Sequence, residues 1–191
     1  MVITYHGDNF FRIQNGSFTL LVDPSNERMK PDLVLKTISP PQFDPQSVTD
    51  NLIDTAGEFD ISGVSIKGVQ VQKESTDKFI KSAFSIELED LKLCFLGHLS
   101  ENLDAKEVEK LGKNNLLFIP VGSPPFLSTS DTAKIIKQLE PSIVIPSFHG
   151  KNSQKEFFDE IGQEGELSEK LVLKAKDLPD KGFKVVVLKK A

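Results

Sequence analysis

Apolar residues in the first half of the chain come in short runs divided by turn-forming residues. Val2-Ile3-Thr4-Tyr5 is β-prone and ends at Gly7. Phe10 to Ile13 follows, then Asn15-Gly16, a dipeptide suited to the tight turn between antiparallel strands. Phe18 to Val22 predicts a third strand, stopped by Asp23-Pro24. Ser25 to Pro31 is polar and loop-like, and Asp32-Leu33-Val34-Leu35 then reads as a short strand buried on both faces. Pro40, Pro41 and Pro45 make Ser39 to Asp50 a loop, because proline lacks a backbone donor and restricts its neighbour. Asn51 to Asp54 predicts another short strand, and Gly57 to Gly63 reads as a turn leading into one through Gln72. Lys73 to Lys78 is a charged turn. Phe79–Leu88 and Leu91–Leu96 are expected to pair as a hairpin across Glu89-Asp90.

The second half changes period. Asp104 with Glu107 forms a capping-box signal for a helix closed by Gly112. Apolar residues at 133, 135, 136 and 139 mark one face of a helix over Ser130 to Leu139, and Ser153 to Ile161 predicts another. Between them lie apolar runs at Leu116–Ile119 and Ser142–Ile145, and Leu171–Leu173 and Lys184–Leu188 follow as strands. A strand meander followed by alternating strands and helices predicts an α/β or α+β sandwich with helices outside the sheets. No repeat, low-complexity tract or long linker divides the chain, so residues 1–191 are expected to form one domain.

Composition narrows the function classes. Lys plus Arg is 23 against 28 Asp plus Glu, a net charge of −5, which argues against a cationic surface for nucleic acid. No apolar run approaches the roughly 20 residues of a membrane span, and the N-terminus reads as lacking a signal peptide. The single cysteine, Cys94, rules out an internal disulfide and a Cys-based zinc cluster, and a reducing cytoplasm is the expected compartment. Fourteen Phe with no Trp supply core volume without polar handles.

Several segments, in order, resemble the metallo-β-lactamase superfamily, specifically its ascorbate-6-phosphate-lactonase-like branch of small hydrolases. They are Ile3-Thr4-Tyr5-His6-Gly7-Asp8-Asn9-Phe10-Phe11, Leu21-Val22-Asp23-Pro24, Gly57-Glu58-Phe59-Asp60-Ile61-Ser62-Gly63-Val64, Leu96-Gly97-His98, Phe118-Ile119-Pro120-Val121-Gly122-Ser123 and Ile145-Pro146-Ser147-Phe148-His149. The resemblance implies a four-layer αβ/βα sandwich of two mixed β-sheets flanked by helices. It also implies a His-x-His-x-Asp-His metal loop after a short buried strand. Here that strand leads into Lys36-Thr37-Ile38-Ser39-Pro40-Pro41-Gln42-Phe43-Asp44, which has no histidine. Only Asp44 could bind metal there, and it lies beyond the family register. A middle ligand would fall near Gln72 or Lys73. The metal-bridging carboxylate aligns with His98, and the last ligand with His149 if one residue is inserted after Pro146.

The family's set of ligands is thereby reduced to one or two, where a catalytic zinc normally takes three from protein. Without metal, bound water keeps its high pKa and a lone His contributes only about 10²–10⁴-fold as a general base. The first expectation is therefore a degenerate family member, a pseudoenzyme with no metal cofactor, acting as a binding or assembly module. A homo-oligomer is admitted, and neither membrane nor nucleic acid is expected as partner. The alternative is a divergent hydrolase of lactone, ester or phosphoester substrates, with zinc or another divalent ion on a relocated site of Asp8, His98 and His149. The residual site candidates are His6, Asp8, Glu58, His98 and His149. Each also has a plain reading: hydrogen-bonded histidines, and for Glu58 a carboxylate accepting backbone N–H bonds in a turn. Lys36, Lys73, Lys78 and Lys81 offer an anion site or a solvated surface, and Ser123, Ser128 and Ser130 are nucleophiles only with a base nearby. Asp131 with nearby hydroxyls reads as a helix cap, and Cys94 as a buried, inert thiol.

Overall fold

A computed structural model describes residues 1–26, 29–41 and 51–191. Asp44 and most of the proline-containing loop lie outside the described residues. The described elements are β1 (Val2–Tyr5), β2 (Phe11–Asn15), β3 (Phe18–Val22), β4 (Leu33–Leu35), β5 (Ile38–Ser39), β6 (Leu52–Ile53), β7 (Gly57–Ile61), β8 (Val64–Gln70), β9 (Ile80–Leu88), β10 (Leu91–Phe95), α1 (Ala105–Leu111), β11 (Leu116–Gly122), α2 (Thr129–Leu139), β12 (Ile143–His149), α3 (Ser153–Ile161), β13 (Glu166–Ser168), β14 (Leu171–Val172) and β15 (Lys184–Leu188).

Two mixed sheets form. The order of one is β14-β1-β2-β3-β4-β6. The other runs β13-β15-β12-β11-β10-β9-β8-β7, with β5 added against β9. The Asn15-Gly16 turn sets β2 against β3 antiparallel, pairing Asn15 with Phe18. Glu89-Asp90 closes the β9–β10 hairpin, with Leu88 opposite Leu91.

The two-residue period of each strand sorts its side chains into two cores. On β11, Leu116 and Phe118 join the cluster between the sheets, while Leu117, Ile119 and Val121 join the cluster under the helices. Ile143 and Ile145 of β12 face the first cluster and Val144 the second. Thus β11 and β12 are buried on both faces, as their unbroken apolar runs predict. All three helices pack against strands of the β7-to-β13 sheet.

Helix α1 starts at the expected capping box: Asp104 Oδ1 accepts from Glu107 N at 2.8 Å, and Asp104 N donates to Glu107 Oε2 at 2.7 Å. Helix α2 starts at Ser128, whose hydroxyl accepts from Asp131 N at 3.1 Å.

Three local expectations are corrected. Gly57 to Ile61 is itself an edge strand, paired along its length with β8, so Glu58 is a strand residue and not a turn residue. Ser39 ends a short strand on β9 instead of opening a loop. Glu166–Ser168 adds a parallel edge strand beside β15 that its charged, alternation-free sequence does not announce. No helix of the described residues is long and apolar enough to cross a membrane.

Candidate functional site

The polar residues at the ends of β1, β3, β10 and β12 build two hydrogen-bonded groups. The first is centred on Asp23, just after β3. Its backbone takes a positive φ of 48°, and its amide donates to Leu35 O at 2.9 Å, which turns the carboxylate toward the segment after β4. There Thr37 meets it twice. Thr37 N donates to Asp23 Oδ1 at 2.7 Å and the Thr37 hydroxyl donates to Asp23 Oδ2 at 2.6 Å. That hydroxyl also lies 2.8 Å from His98 Nδ1. A hydroxyl has one proton, and Asp23 receives it, so the imidazole must donate from Nδ1, which leaves Nε2 as the neutral ring's acceptor. The Asp23 carboxylate stands 3.6 Å from the same Nδ1. Burial pushes the Asp23 carboxyl above its ordinary value, partly offset by His98 and by the Thr37 hydrogen bonds.

Gly97 makes this approach possible. It adopts φ +45°, and a Cβ there would overlap the Thr37 side chain.

The second group is centred on Asn9. Asp8 and Asn9 take positive φ values of 50° and 65°, a conformation that Asp and Asn tolerate better than most residues. Asn9 is 2% exposed. Its Oδ1 accepts from the Ser147 hydroxyl and lies 3.2 Å from His149 Nε2. An oxygen acceptor requires that imidazole to carry its proton on Nε2. Burial pulls the His149 pKa below its ordinary value, His98 adds to the fall, and Asp8 opposes it. The Phe126 ring stacks on His149 at 3.6 Å between centroids and reaches His98 at 6.2 Å. Gly122 faces His149 in the parallel register of β11 and β12, and a Cβ at Gly122 would overlap the His149 carbonyl.

Of the residues that the sequence singles out, His98 and His149 are thus brought to one aromatic ring. Asp8 is exposed and close enough to His149 to influence its charge. His6 stands apart: its Nε2 lies 3.1 Å from Thr4 Oγ1 and its ring packs on Phe10 at 4.7 Å. Burial and the nearby Arg12 lower its pKa. Glu58 is 80% exposed on edge strand β7, 3.4 Å from Lys67, with no described contact to either group.

Lys81 forms neither an anion site nor a solvated surface. It is buried and pairs with Glu74 at 2.7 Å. Lys73 and Lys78 are exposed. Ser123, Ser128 and Ser130 are exposed as well, and Ser128 serves as the α2 cap. Cys94 is fully buried and its thiol is pushed up to about 12 by burial, so it carries no thiolate at neutral pH.

Sequence reasoning missed Asn9, Thr37 and Ser147 as individual residues. Each sits inside a segment quoted above, but their partners lie up to 140 positions away. The usable signal was the change of residue type itself: a hydroxyl where the resembled family has an imidazole loop.

The donor set can be tested against a metal centre. Among the described residues, no group of three or more His, Cys, Asp or Glu is placed to hold an ion. Asp23 and His98 Nδ1 are tied together through Thr37, and His149 Nε2 is tied to Asn9. The described residues therefore do not fit a metal centre of the usual three protein ligands.

A family model described as the Beta-lactamase superfamily domain matches residues 2–147. No curated protein matches. Among solved structures, a candidate zinc-dependent hydrolase of the metallo-β-lactamase superfamily from Thermotoga maritima is 25% identical. Its TM-score is 0.78, and the match covers 98% of this chain and 97% of that one. A candidate metal-dependent hydrolase from Parabacteroides distasonis is 16% identical, with TM-score 0.66, covering 98% and 93%. A metallo hydrolase from Ignicoccus hospitalis is 14% identical, with TM-score 0.65, covering 91% and 99%. The last two similarities establish a common fold.

Proposed function

The chain belongs to the beta-lactamase superfamily domain family, and from that membership we propose that it is a degenerate member: metal-dependent hydrolysis is lost and the fold serves as a binding or assembly module. The observation that carries this reading is the position of Thr37. In the segment where the family resemblance calls for metal-binding imidazoles, the chain supplies a threonine. Its amide and hydroxyl bind Asp23, and the same hydroxyl accepts from His98. Hydroxyls and apolar rings do not lower the pKa of a water as zinc does, so hydroxide at neutral pH stays scarce. What remains around His98 and His149 is a surface backed by the Phe126 ring and suited to binding.

A second reading has one observation in its favour. His98 and His149 lie against the same Phe126 ring, and Asp8 is near enough to affect His149. A relocated single-ion site on Asp8, His98 and His149 would support hydrolysis of a lactone, ester or phosphoester.

Elemental analysis of untagged protein, before and after incubation with zinc, manganese and iron, separates the two. The degenerate reading expects substoichiometric metal in every condition and no turnover of ester, lactone or phosphodiester probes. Near-stoichiometric metal that disappears in a His98→Ala, His149→Ala double variant, together with turnover lost in the same variant, would sink it. Light scattering of the same preparation tests homo-oligomeric assembly.

A further inference from the structure

Between the two hydrogen-bonded groups lies a small internal cavity. The space open to the centre of a water-sized sphere is about 10 Å³, close to the minimum that holds one water. Phe11, Val22 and Phe95 make its wall apolar, and Asn9, Asp23 and Ser147 interrupt that wall.

Asn9 is the informative residue. Its Oδ1 is engaged by Ser147 and His149, while its Nδ2 is buried without a hydrogen-bond partner among the described protein atoms. A buried donor left in this way is costly, and native proteins rarely leave one. Asp23, across the cavity, accepts one hydrogen bond on each carboxylate oxygen, which leaves lone pairs free.

We propose that this cavity is a binding site for a single internal water, which accepts from Asn9 Nδ2 and donates to the Asp23 carboxylate. The chemistry excludes the other guests of that size. A cation would face the amide hydrogens, an anion would face Asp23, and an apolar atom would leave Nδ2 unpaired. Water alone is both acceptor and donor. With it in place, His98-Thr37-Asp23 and His149-Ser147-Asn9 become one polar network joining the end of β3 in one sheet to β12 in the other. The site does not depend on the loss of metal chemistry.

The test uses uniformly ¹⁵N-labelled wild-type protein. Water-selective Overhauser spectra are expected to show the Asn9 side-chain amide in contact with a long-lived internal water. Val22→Ile places one more methylene in the cavity and is expected to abolish that contact. A wild-type protein without the signal overturns the proposal, and so does a Val22→Ile protein that keeps it. A rise in Tm for Val22→Ile also overturns it, because filling a dry void stabilises whereas displacing a bound water does not. The wild-type measurement decides the matter even if the variant fails to fold.

Discussion

Asp23 and Glu74 are both buried carboxylates, yet their environments drive them in opposite directions. Burial alone would raise Glu74, but the Lys81 ammonium, the Ser100 hydroxyl and the Glu101 and Ser100 amides outweigh it and hold its pKa below the ordinary range. Asp23 has one amide, one hydroxyl and an imidazole at 3.6 Å, and burial prevails. Deeper enclosure at Asp23, and a fuller donor set with a cation at Glu74, together send the two carboxyls in opposite directions. The comparison also separates roles. Glu74 is saturated by groups that it pins in place, including Ser100 N at 2.8 Å and Glu101 N at 2.9 Å, just beyond His98. It fixes the loop that presents the imidazole. Asp23 is incompletely satisfied and borders the cavity.

The largest effect should come from breaking the saturated pair. Lys81→Met leaves a buried, unpaired carboxylate and is expected to cost about 3–5 kcal/mol at pH 7, measured by urea unfolding. A loss under about 1 kcal/mol would mean that Glu74 is held by its hydrogen bonds alone.

Acid should reveal the same residue next. Its folded pKa lies below its unfolded one, so around and below the ordinary Glu value the unfolded chain binds the proton more readily and stability falls with falling pH. The Glu74 contribution is complete above about pH 4.3 and disappears as pH drops through the depressed folded value. The stability gap between wild type and Glu74→Gln should therefore narrow in acid. A gap that stays constant from pH 7 to pH 3 would contradict the assignment.

Thr37→Val keeps the shape and removes the hydroxyl shared by Asp23 and His98. It should cost about 1–3 kcal/mol and free the His98 ring, seen as loss of its Nδ1–H resonance. Retention of that resonance would show that His98 is oriented by something else. At the small end, Lys67→Ala unpairs an exposed Glu58 and should change stability by less than about 1 kcal/mol. A larger change would restore Glu58 to consideration as a structural or functional residue.

Much of the fold was legible because it rests on local patterns. The Asp104–Glu107 box, the α2 apolar face and the two-sided runs of β11 and β12 each specify an element from neighbouring residues. The edge strand β13 was not legible. It carries Glu166 and an exposed Leu167, and only its register beside β15 makes it a strand. The candidate site was half legible. His98 and His149 stood out as two of only three histidines. Their partners did not, because Thr37, Asn9 and Ser147 acquire meaning only when β3, β10 and β12 bring distant segments together. Lys81 likewise reads as one more surface lysine until the fold buries it against Glu74.

Gly97 has a consequence for how such a chain can change over generations. A side chain at 97 would have to occupy the space of Thr37 while adopting a backbone angle that suits glycine. The two positions are epistatic: any larger residue at 97 is tolerated only after Thr37 has gone, and then Asp23 and His98 have already lost the group that joins them. An imidazole in place of Thr37 would likewise remove the hydroxyl that joins Asp23 to His98. The Thr37–Gly97 fit thus ties the two positions together, so that neither can be exchanged without regard to the other.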